Sequence, residues 1–412
     1  MISFPRRLGA AAGLALVFSG AARAQLAAPD CAAALPGPPH LPATIPIELH
    51  SNHVTFWVCR GNKPLMFVLD TGAGQSILDL GVAKSLGAKL NSPFRATGAG
   101  AGSVEASRME PDSVVLPGAS VVAPIVTAID LASVAGPEGG NMQGILGADF
   151  ISRYIVALDY VHMQMRLYDR ATFTYDGPGV IVPFQLVGAF IHVRATVGIT
   201  DSSSAAGDFV VDVGSSLALA LAKPFVDRNQ LRDRVGPTVR RPSGRGVGGA
   251  AVADVARVAS LRISQVDVER PIAYLYGDSA GVFSSSSAGD GNIGGDILRR
   301  YTVFFDYAAR RMIWEPNENV NVPFEADMSG LQLAVNRGGP GFTVDFVVPN
   351  SPAGELGFKR GDQVMAVDGK TAAPELLDAL RVRMRRAGER IQFTVKRGMT
   401  PMVFDLVTRR LV

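Results

Sequence analysis

Cysteine is almost absent from this chain of 412 residues, which contains only Cys31 and Cys59. Histidine is also scarce, with five residues scattered along the sequence. Zinc sites need cysteine or histidine ligands at close, regular spacing, so the sequence indicates no metal site. The two cysteines form either a disulfide, as is usual for a pair in an oxidising compartment, or two free thiols.

Long apolar runs are missing from most of the chain. No stretch beyond residue 24 reaches the roughly 18 consecutive apolar residues of a transmembrane helix, so we expect no transmembrane anchor. Residues 1–24 place Arg6 and Arg7 before an apolar run over 8–18 and end in small residues, which is typical of a removable signal peptide. The sequence therefore predicts an exported protein, either periplasmic or secreted.

An excess of charge of either sign is missing as well. Residues 1–24 hold three of the 40 basic residues and none of the 37 acidic ones, which leaves 37 of each in the rest of the chain. A nearly neutral protein has little electrostatic attraction to nucleic acid or to an anionic membrane. We therefore expect neither of them as the main partner.

What the sequence does contain is one module written twice. Residues 144–160 and 291–307 are identical at eight of seventeen positions, where chance gives about one. Three earlier landmarks recur in the same order: a segment with Pro, an apolar run that ends in Asp-x-Gly, and a glycine-rich segment. These landmarks are 45–49 and 182–186, 66–72 and 208–214, and 98–102 and 244–249. Their common order indicates an internal duplication.

The apolar segments inside each copy are short, rich in Val, Ile and Phe, and interrupted by Gly, Pro and Ser. This pattern predicts strands and not long helices. Short helices are expected at 80–86 and 297–301, and the Ser-rich segment 200–206 is expected to be a loop. The predicted fold is mainly β, with two pseudo-symmetric, barrel-like lobes.

Asp70 and Asp212 stand at equivalent places in the two copies, each after an apolar run and two residues before a glycine. A pseudo-two-fold axis between the copies would bring their loops together. Two carboxylates about 3 Å apart share one proton, so their pKa values split and the pair contains an acid and a base at once. Such a pair can activate a water for attack on a carbonyl group without a cofactor.

The segment 70–73, Asp-Thr-Gly-Ala, with the later triplet 145–147, Ile-Leu-Gly, resembles the active-site lobe of retropepsin-like and pepsin-like aspartic proteases. The second copy repeats the pattern as 212–215, Asp-Val-Gly-Ser, with the triplet 292–294. The resemblance covers about residues 45–316. It implies two aspartic-protease lobes that hydrolyse a polypeptide substrate with Asp70 and Asp212, without metal or other cofactor.

The resemblance also assigns supporting roles, with two departures from the family pattern. Thr71 is expected to hydrogen-bond across to the partner loop. Val213 replaces the second threonine, so one hydrogen bond that would hold the two loops together, worth about 1 kcal/mol, is lost. A hydroxyl at Ser215 is expected to donate to Asp212, which would make Asp212 the more acidic member of the pair and leave the proton on Asp70. The residues that support the active-site loops are Thr71, Gly72, Ala73, Val213, Gly214 and Ser215.

The glycine-rich segment 97–103 lies where a flap would cover the substrate, with Gly98, Gly100 and Gly102 as the flap candidates. It lacks the tyrosine of the pepsin flap, which is the second departure. An ordinary surface hairpin is the alternative interpretation of this segment.

From about residue 323 the composition changes to dense turn-forming residues around short strands, followed by leucines at helical spacing over 374–386. This region resembles a circularly permuted PDZ domain, which is a small α+β domain. The resemblance implies that Gly330, Leu331, Gln332 and Leu333 bind the C-terminus of a peptide or partner protein by adding it as a strand. A docking or regulatory module that holds no free peptide is the alternative.

The predicted organisation is a signal peptide over 1–24, a linker over 25–44, lobes over 45–180 and 181–322, and a PDZ-like domain over 323–412. A serine protease is excluded at 291–295, because Ile293 occupies the place of the nucleophile. The rival prediction from another class is a catalytically inactive peptide-binding or scaffold protein, in which Val213 marks a decayed site.

Overall fold

The computed structural model describes residues 26–34, 36–100, 102–132, 142–277, 281–285, 289–336 and 339–412, apart from the side chains of 244 and 245. The predicted signal peptide lies outside these residues. Within them the fold is mainly β, as the short, β-branched apolar segments predict. No helix in this described part of the chain is long and apolar enough to cross a lipid bilayer.

Eleven described strands precede residue 170. They are β1 (Ala43–Pro46), β2 (Glu48–His50), β3 (His53–Arg60), β4 (Lys63–Leu69), β5 (Ile77–Asp79), β6 (Leu90–Thr97), β7 (Ser103–Leu116), β8 (Val121–Ile129), β9 (Gly144–Leu146), β10 (Ile155–Asp159) and β11 (Gln164–Tyr168).

Thirteen described strands follow before residue 320. They are β12 (Val180–Pro183), β13 (Gln185–Val187), β14 (Phe190–Thr200), β15 (Ser203–Asp212), β16 (Leu219–Leu221), β17 (Val239–Gly246), β18 (Gly249–Arg257), β19 (Ser260–Ile263), β20 (Val266–Glu269), β21 (Ile272–Tyr276), β22 (Gly291–Gly294), β23 (Tyr301–Asp306) and β24 (Arg311–Pro316).

The C-terminal region, residues 323–412, has six described strands. They are β25 (Leu331–Val335), β26 (Phe342–Val347), β27 (Gln363–Val367), β28 (Lys370–Thr371), β29 (Arg390–Arg397) and β30 (Thr400–Val407).

The helices in the described residues are short, because turn residues interrupt the chain so often. The α-helices are Leu80–Ser85, Ala148–Ile151, Lys223–Arg228, Leu231–Arg234, Gly295–Leu298, Pro352–Glu355 and Leu377–Met384. Turns of 3-10 helix lie at Cys31–Ala33, Val282–Ser284 and Pro374–Leu376. The first α-helix begins where Asp79 accepts the backbone N–H of Val82 at 2.9 Å, an ordinary N-cap.

The first sheet and the second sheet have the same central strand order. The first sheet runs β2-β3-β4-β9-β5-β8-β7-β6, and the second runs from β17 through β18, β21, β16, β22 and β15 to β14, which also pairs with β13. The second sheet has an additional hairpin, β19–β20. In both sheets a short strand, β9 or β22, lies parallel to the strand that leads to the aspartate.

A shared sheet joins these two parts of the chain in the order β1-β11-β10-β23-β24-β12. Its centre is the antiparallel pair β10–β23, where Ala157 faces Phe304. These two residues occupy equivalent positions in the repeat, so the strand pairing itself is symmetric about this point. One buried apolar core extends through both parts.

The C-terminal sheet has the order β25-β26-β27-β29-β30, with β28 beside β27. It has a separate core that includes Phe342, Phe393 and Leu380. Leu377, Leu380 and Met384 are buried as their helical spacing predicts, whereas Leu376 is exposed.

The prediction of a loop over 200–206 is wrong. Strand β15 begins at Ser203 and pairs with β14, where Ala206 faces Thr196, so only a tight turn separates the two strands. Serine and alanine are tolerated in this strand because residues 203–210 pair with a long neighbour.

Candidate active site

Asp70 and Asp212 lie at the ends of two buried central strands. Asp70 follows β4 directly and Asp212 is the last residue of β15. Asp70 donates its backbone N–H to the carbonyl of Leu146 in β9 at 3.0 Å, and Asp212 is paired with Gly294 in β22. Because the buried strands fix the backbone on both sides, each carboxyl group has a defined position.

The two carboxyl groups meet, and each one packs against the glycine of the opposite loop. A Cβ atom at Gly72 would lie 2.7 Å from the carboxyl carbon of Asp212, and one at Gly214 would overlap the carboxyl of Asp70. Any side chain at these positions would push the aspartates apart. The glycines are therefore required by the close approach of the loops and not by the backbone angle φ.

The residues after each glycine make equivalent backbone contacts. Ala73 donates its N–H to the carbonyl of Asp70 at 3.3 Å, and Ser215 donates to that of Asp212 at 3.2 Å. The carbonyls of Ala73 and Ser215 in turn accept from the helices that begin at Ala148 and Gly295. Gly147 and Gly294 precede these helices, where a Cβ atom would clash with the loop backbone.

Thr71 connects the two loops through its buried hydroxyl. Its Oγ1 donates to the carbonyl of Val211 at 2.7 Å and accepts the N–H of Val213 at 3.0 Å. Val213 is buried and has no hydroxyl to return these bonds. The hydroxyl lock between the loops is therefore one-sided.

The pKa values of the two carboxyls are both raised, chiefly because the groups are buried. The negative charge of Asp70 raises the pKa of Asp212 further. Each carboxyl also accepts a hydrogen bond that supports its charged form: Asp70 from the Gly72 N–H at 2.7 Å and Asp212 from the Asn292 amide at 2.6 Å. With both pKa values raised, the two carboxyls share one proton between them.

The expectation for Ser215, that its hydroxyl donates to Asp212, is wrong. Its hydroxyl makes no hydrogen bond to Asp212 among the described residues; its backbone N–H lies near the carboxyl instead. The donor to Asp212 is the amide of Asn292, which contacts Oδ2 at 2.6 Å. The other oxygen of Asp212, Oδ1, is buried and accepts no hydrogen bond from these residues.

Asn292 is a site residue whose role the sequence reasoning missed. It faces Val210 in the β15–β22 pairing, as Ile145 faces Val68 in β4–β9. The two copies differ at this position, which is apolar in the first and polar in the second. This difference was the signal in the sequence that could have identified Asn292.

Two glycine-rich hairpins meet over the site. The tip of β6–β7 contains the flap candidates Gly98, Gly100 and Gly102, and the tip of β17–β18 contains Val247 and Gly248. Gly100 donates its N–H to the carbonyl of Val247 at 3.0 Å, and Gly102 donates to Gly248 at 2.8 Å. The sequence reasoning noted both glycine-rich segments but predicted a flap from the first alone.

A cleft of about 1100 Å³ surrounds the aspartates. Its walls include Gly98 of the first hairpin tip and Val247 of the second. The C-terminal residues Leu331, Gln332 and Leu333 also line it, whereas Gly330 lies just before them with a φ of 80°.

The remaining predicted site residues lie away from the aspartates. Cys31 and Cys59 form a disulfide with Cα atoms 5.5 Å apart, which ties the segment before β1 to β3. In the part of the chain that the structure describes, no three His, Cys, Asp or Glu side chains cluster closely enough to hold a metal ion.

Comparison with known families gives one match. Residues 54–150 match the family described as aspartyl protease. The matched segment contains Asp70, Thr71 and Gly72 and extends through the triplet 145–147. This match supports an aspartic protease hydrolase at the family level. No curated protein matches the chain significantly.

Proposed function

We propose that this protein is an aspartic endopeptidase that hydrolyses peptide bonds with a water molecule activated between Asp70 and Asp212. The observation that carries the proposal is the contact of two half-buried carboxyls, each backed by the glycine of the opposite loop. The family match over 54–150 and a cleft large enough for a peptide support it.

In the proposed reaction the carboxylate of Asp70 takes a proton from the water, whose oxygen bonds to the carbonyl carbon of the substrate. Asp212 gives its proton to the carbonyl oxygen, and a tetrahedral diol forms. The C–N bond then breaks, the proton on Asp70 moves to the departing nitrogen, and a diol hydroxyl returns a proton to Asp212. The products are one carboxylic acid and one amine, and the enzyme regains its starting protonation.

The organisation proposed for the chain has two lobes, 45–180 and 181–322, that contribute one aspartate each. The equal strand order of the first and second sheets supports this division. We also propose that residues 323–412 are a PDZ-like domain, which the separate core of the C-terminal region supports. Export after removal of 1–24 is proposed because a disulfide persists in an oxidising compartment.

One observation favours a second candidate function. Val213 leaves the hydroxyl lock one-sided, as expected if the fold had become a non-catalytic peptide-binding protein. The intact carboxyl pair favours the enzyme over this candidate. Two adjacent acids with perturbed pKa values destabilise a fold and are found mainly at catalytic sites.

The test is incubation of the purified protein with a denatured protein substrate from about pH 3 to about pH 8, with and without a pepstatin-like transition-state inhibitor. The proposal predicts cleavage that the inhibitor abolishes. Absence of cleavage at every pH, with retained peptide binding, would favour the non-catalytic candidate. Cleavage that the inhibitor and a neutral Asp70→Asn variant both leave intact would assign the activity to a contaminant.

A further inference from the structure

The C-terminal region forms one wall of the cleft that holds the aspartates. Strand β25 contributes Leu331, Gln332 and Leu333, and the helix Leu377–Met384 contributes Val382 and Met384. We propose that this wall is part of the substrate site and binds an internal, extended segment of the same polypeptide whose peptide bond lies at Asp70 and Asp212. The inference rests on the proposed function and adds the form of substrate that the enzyme selects.

Direct contacts place the helix close to the catalytic loops. Ser51, in the turn between β2 and β3, donates its backbone N–H to Asp378 at 3.3 Å and its hydroxyl to the same carboxylate at 3.2 Å. Arg381 donates to the Ser51 hydroxyl at 2.5 Å. The next residue, Asn52, donates its amide to the carbonyl of Ser216 at 2.9 Å. A single turn therefore contacts both the helix and the loop that follows Asp212.

Strand β25 has a free edge on which a peptide can add. Among the described strands it pairs with β26 alone, at the end of the C-terminal sheet. The free edge of a strand presents backbone N–H and C=O groups that an extended chain can bond. The Oε1 atom of Gln332, on this strand, is buried and accepts no hydrogen bond within the described chain.

The helix on the opposite side of this part of the cleft contributes one exposed apolar side chain beside the charged Asp378 and Arg381. Val382 projects from the helix with 54% of its surface exposed, although it lines the cavity. An extended segment between β25 and the helix would cover this side chain and satisfy the Gln332 amide. An apolar residue in the bound segment fits against Val382, because burying that exposed side chain is favourable.

The loop before β25 argues for an internal segment and against a peptide C-terminus. A terminal carboxylate would need free N–H donors there, but Gly330 already donates to Asp327 at 2.8 Å and Leu331 donates to the Ser329 hydroxyl at 3.0 Å. Ser329 in turn donates to both carboxylate oxygens of Asp327 at 3.0 Å. The carboxylate of Asp327 thus occupies the place that a substrate terminus would take.

A contact from the second sheet holds Asp327 in that place. Arg241, in β17, lies 3.5 Å from the Asp327 carboxylate and is itself largely buried. The substrate therefore passes along β25 without ending at the loop. This differs from the sequence expectation that Gly330 and its neighbours capture a peptide C-terminus.

The test compares two peptides with one cleavage sequence in wild-type protein and in Val382→Asp. One peptide has about sixteen residues and reaches roughly 50 Å when extended; the other has about six and reaches roughly 20 Å. We expect Val382→Asp to lower the ratio of kcat/KM for the long peptide to that for the short one about tenfold, as loss of a buried contact does. Gln332→Ala should lower the same ratio.

The matched control is Val403→Asp, which places the same change on an equally exposed valine of β30 outside the cleft, and it should leave the ratio unchanged. A long peptide with a C-terminal carboxamide should be cut as fast as the one with a free carboxylate. A ratio that stays the same in Val382→Asp, or cleavage that requires the free carboxylate, would overturn the inference.

A binding measurement separates this inference from the proposed function. If the wild-type protein cuts neither peptide, the proposed function fails, and the anisotropy of a fluorescent long carboxamide peptide decides the inference. Binding that Val382→Asp weakens about tenfold, and Val403→Asp does not, supports the wall as a peptide site. Equal binding by both variants overturns it.

Discussion

The hydroxyl of Thr71 accepts the backbone N–H of Val213 at 3.0 Å, across the boundary between the first and second sheets. The same hydroxyl donates to the carbonyl of Val211. One side chain therefore satisfies two buried backbone groups of the opposite loop. Val213, the equivalent residue in the second loop, has no hydroxyl to return these bonds. The relative position of Asp70 and Asp212 therefore depends on Thr71.

Thr71→Val should destabilise the protein by about 2 kcal/mol, since it leaves a buried N–H and a buried carbonyl without partners. Chemical denaturation measures the change in the free energy of unfolding. Thr71→Ser is the control, because it keeps the hydroxyl and should retain most of the stability. An equal loss in both variants would mean that the methyl group, and not the hydrogen bonds, carries the effect.

Asn292→Ile should move the alkaline limb of the activity profile to higher pH. The Asn292 amide donates to Asp212 and favours its charged form, so its removal raises the pKa of Asp212. The expected shift is about one to two pH units, because a hydrogen bond to a charged group is worth about 1.5 to 3 kcal/mol and a pKa unit about 1.4 kcal/mol. The pH dependence of kcat/KM measures it, and a limb that stays or moves down would contradict the assignment.

Asp212→Asn should make the protein more stable at neutral pH, although it removes activity. The folded-state pKa of Asp212 is raised above 3.8 by burial and by the Asp70 charge. The folded protein therefore binds a proton that the unfolded chain has already lost, and its stability falls as pH rises from the unfolded pKa to the folded pKa.

The gain from Asp212→Asn should amount to about 1.4 kcal/mol for each unit by which the pKa is raised. It should vanish below about pH 3.8, where both states carry the proton. Thermal unfolding of wild type and variant across this range measures the difference. A gain that does not change with pH would contradict the raised pKa.

Gly100→Ala should impair closure of the two hairpin tips over the cleft. A Cβ atom at Gly100 would overlap the backbone of Gly248 and Gly249 in the opposite tip. We expect kcat/KM to fall about tenfold with little change in the free energy of unfolding. Gly236→Ala is the matched control, since a Cβ atom there meets nothing within 4 Å. Similar losses in both variants would rule out a role for tip contact.

Removal of the disulfide by Cys31→Ser with Cys59→Ser should lower the free energy of unfolding. The cysteines are 28 positions apart, and closing a loop of this length is worth about 3 to 4 kcal/mol in the chain-entropy description. Denaturation with and without a reductant measures the same quantity in the wild-type protein. A reductant effect that persists in the double variant would have another origin.

The placement of Asp70 and Asp212 was accessible from the sequence because local patterns and the duplication both specify it. An apolar run fixes each strand, and each following glycine marks a tight approach. The mainly β character followed for the same reason, since short β-branched segments seldom form long helices.

Other features depend on contacts between distant residues, and periodicity does not encode them. The amide of Asn292 could have pointed into solvent as easily as at Asp212. The hydrogen bond expected from the Ser215 hydroxyl was wrong because the direction of a hydroxyl depends on its surroundings, and Ser215 offers Asp212 its backbone N–H instead. The contact of Ser51 with Asp378 joins residues 327 positions apart, so no local pattern announces it.

Whether Asp70 and Asp212 act together is decided by kcat/KM for one peptide in wild type, Asp70→Asn, Asp212→Asn and the double variant. If the two carboxyls act as one unit, each single change should reduce kcat/KM by about a thousandfold or more, and the double change should cost no more than a single one. Losses that multiply in the double variant, or a single variant that retains wild-type cleavage, would contradict the account.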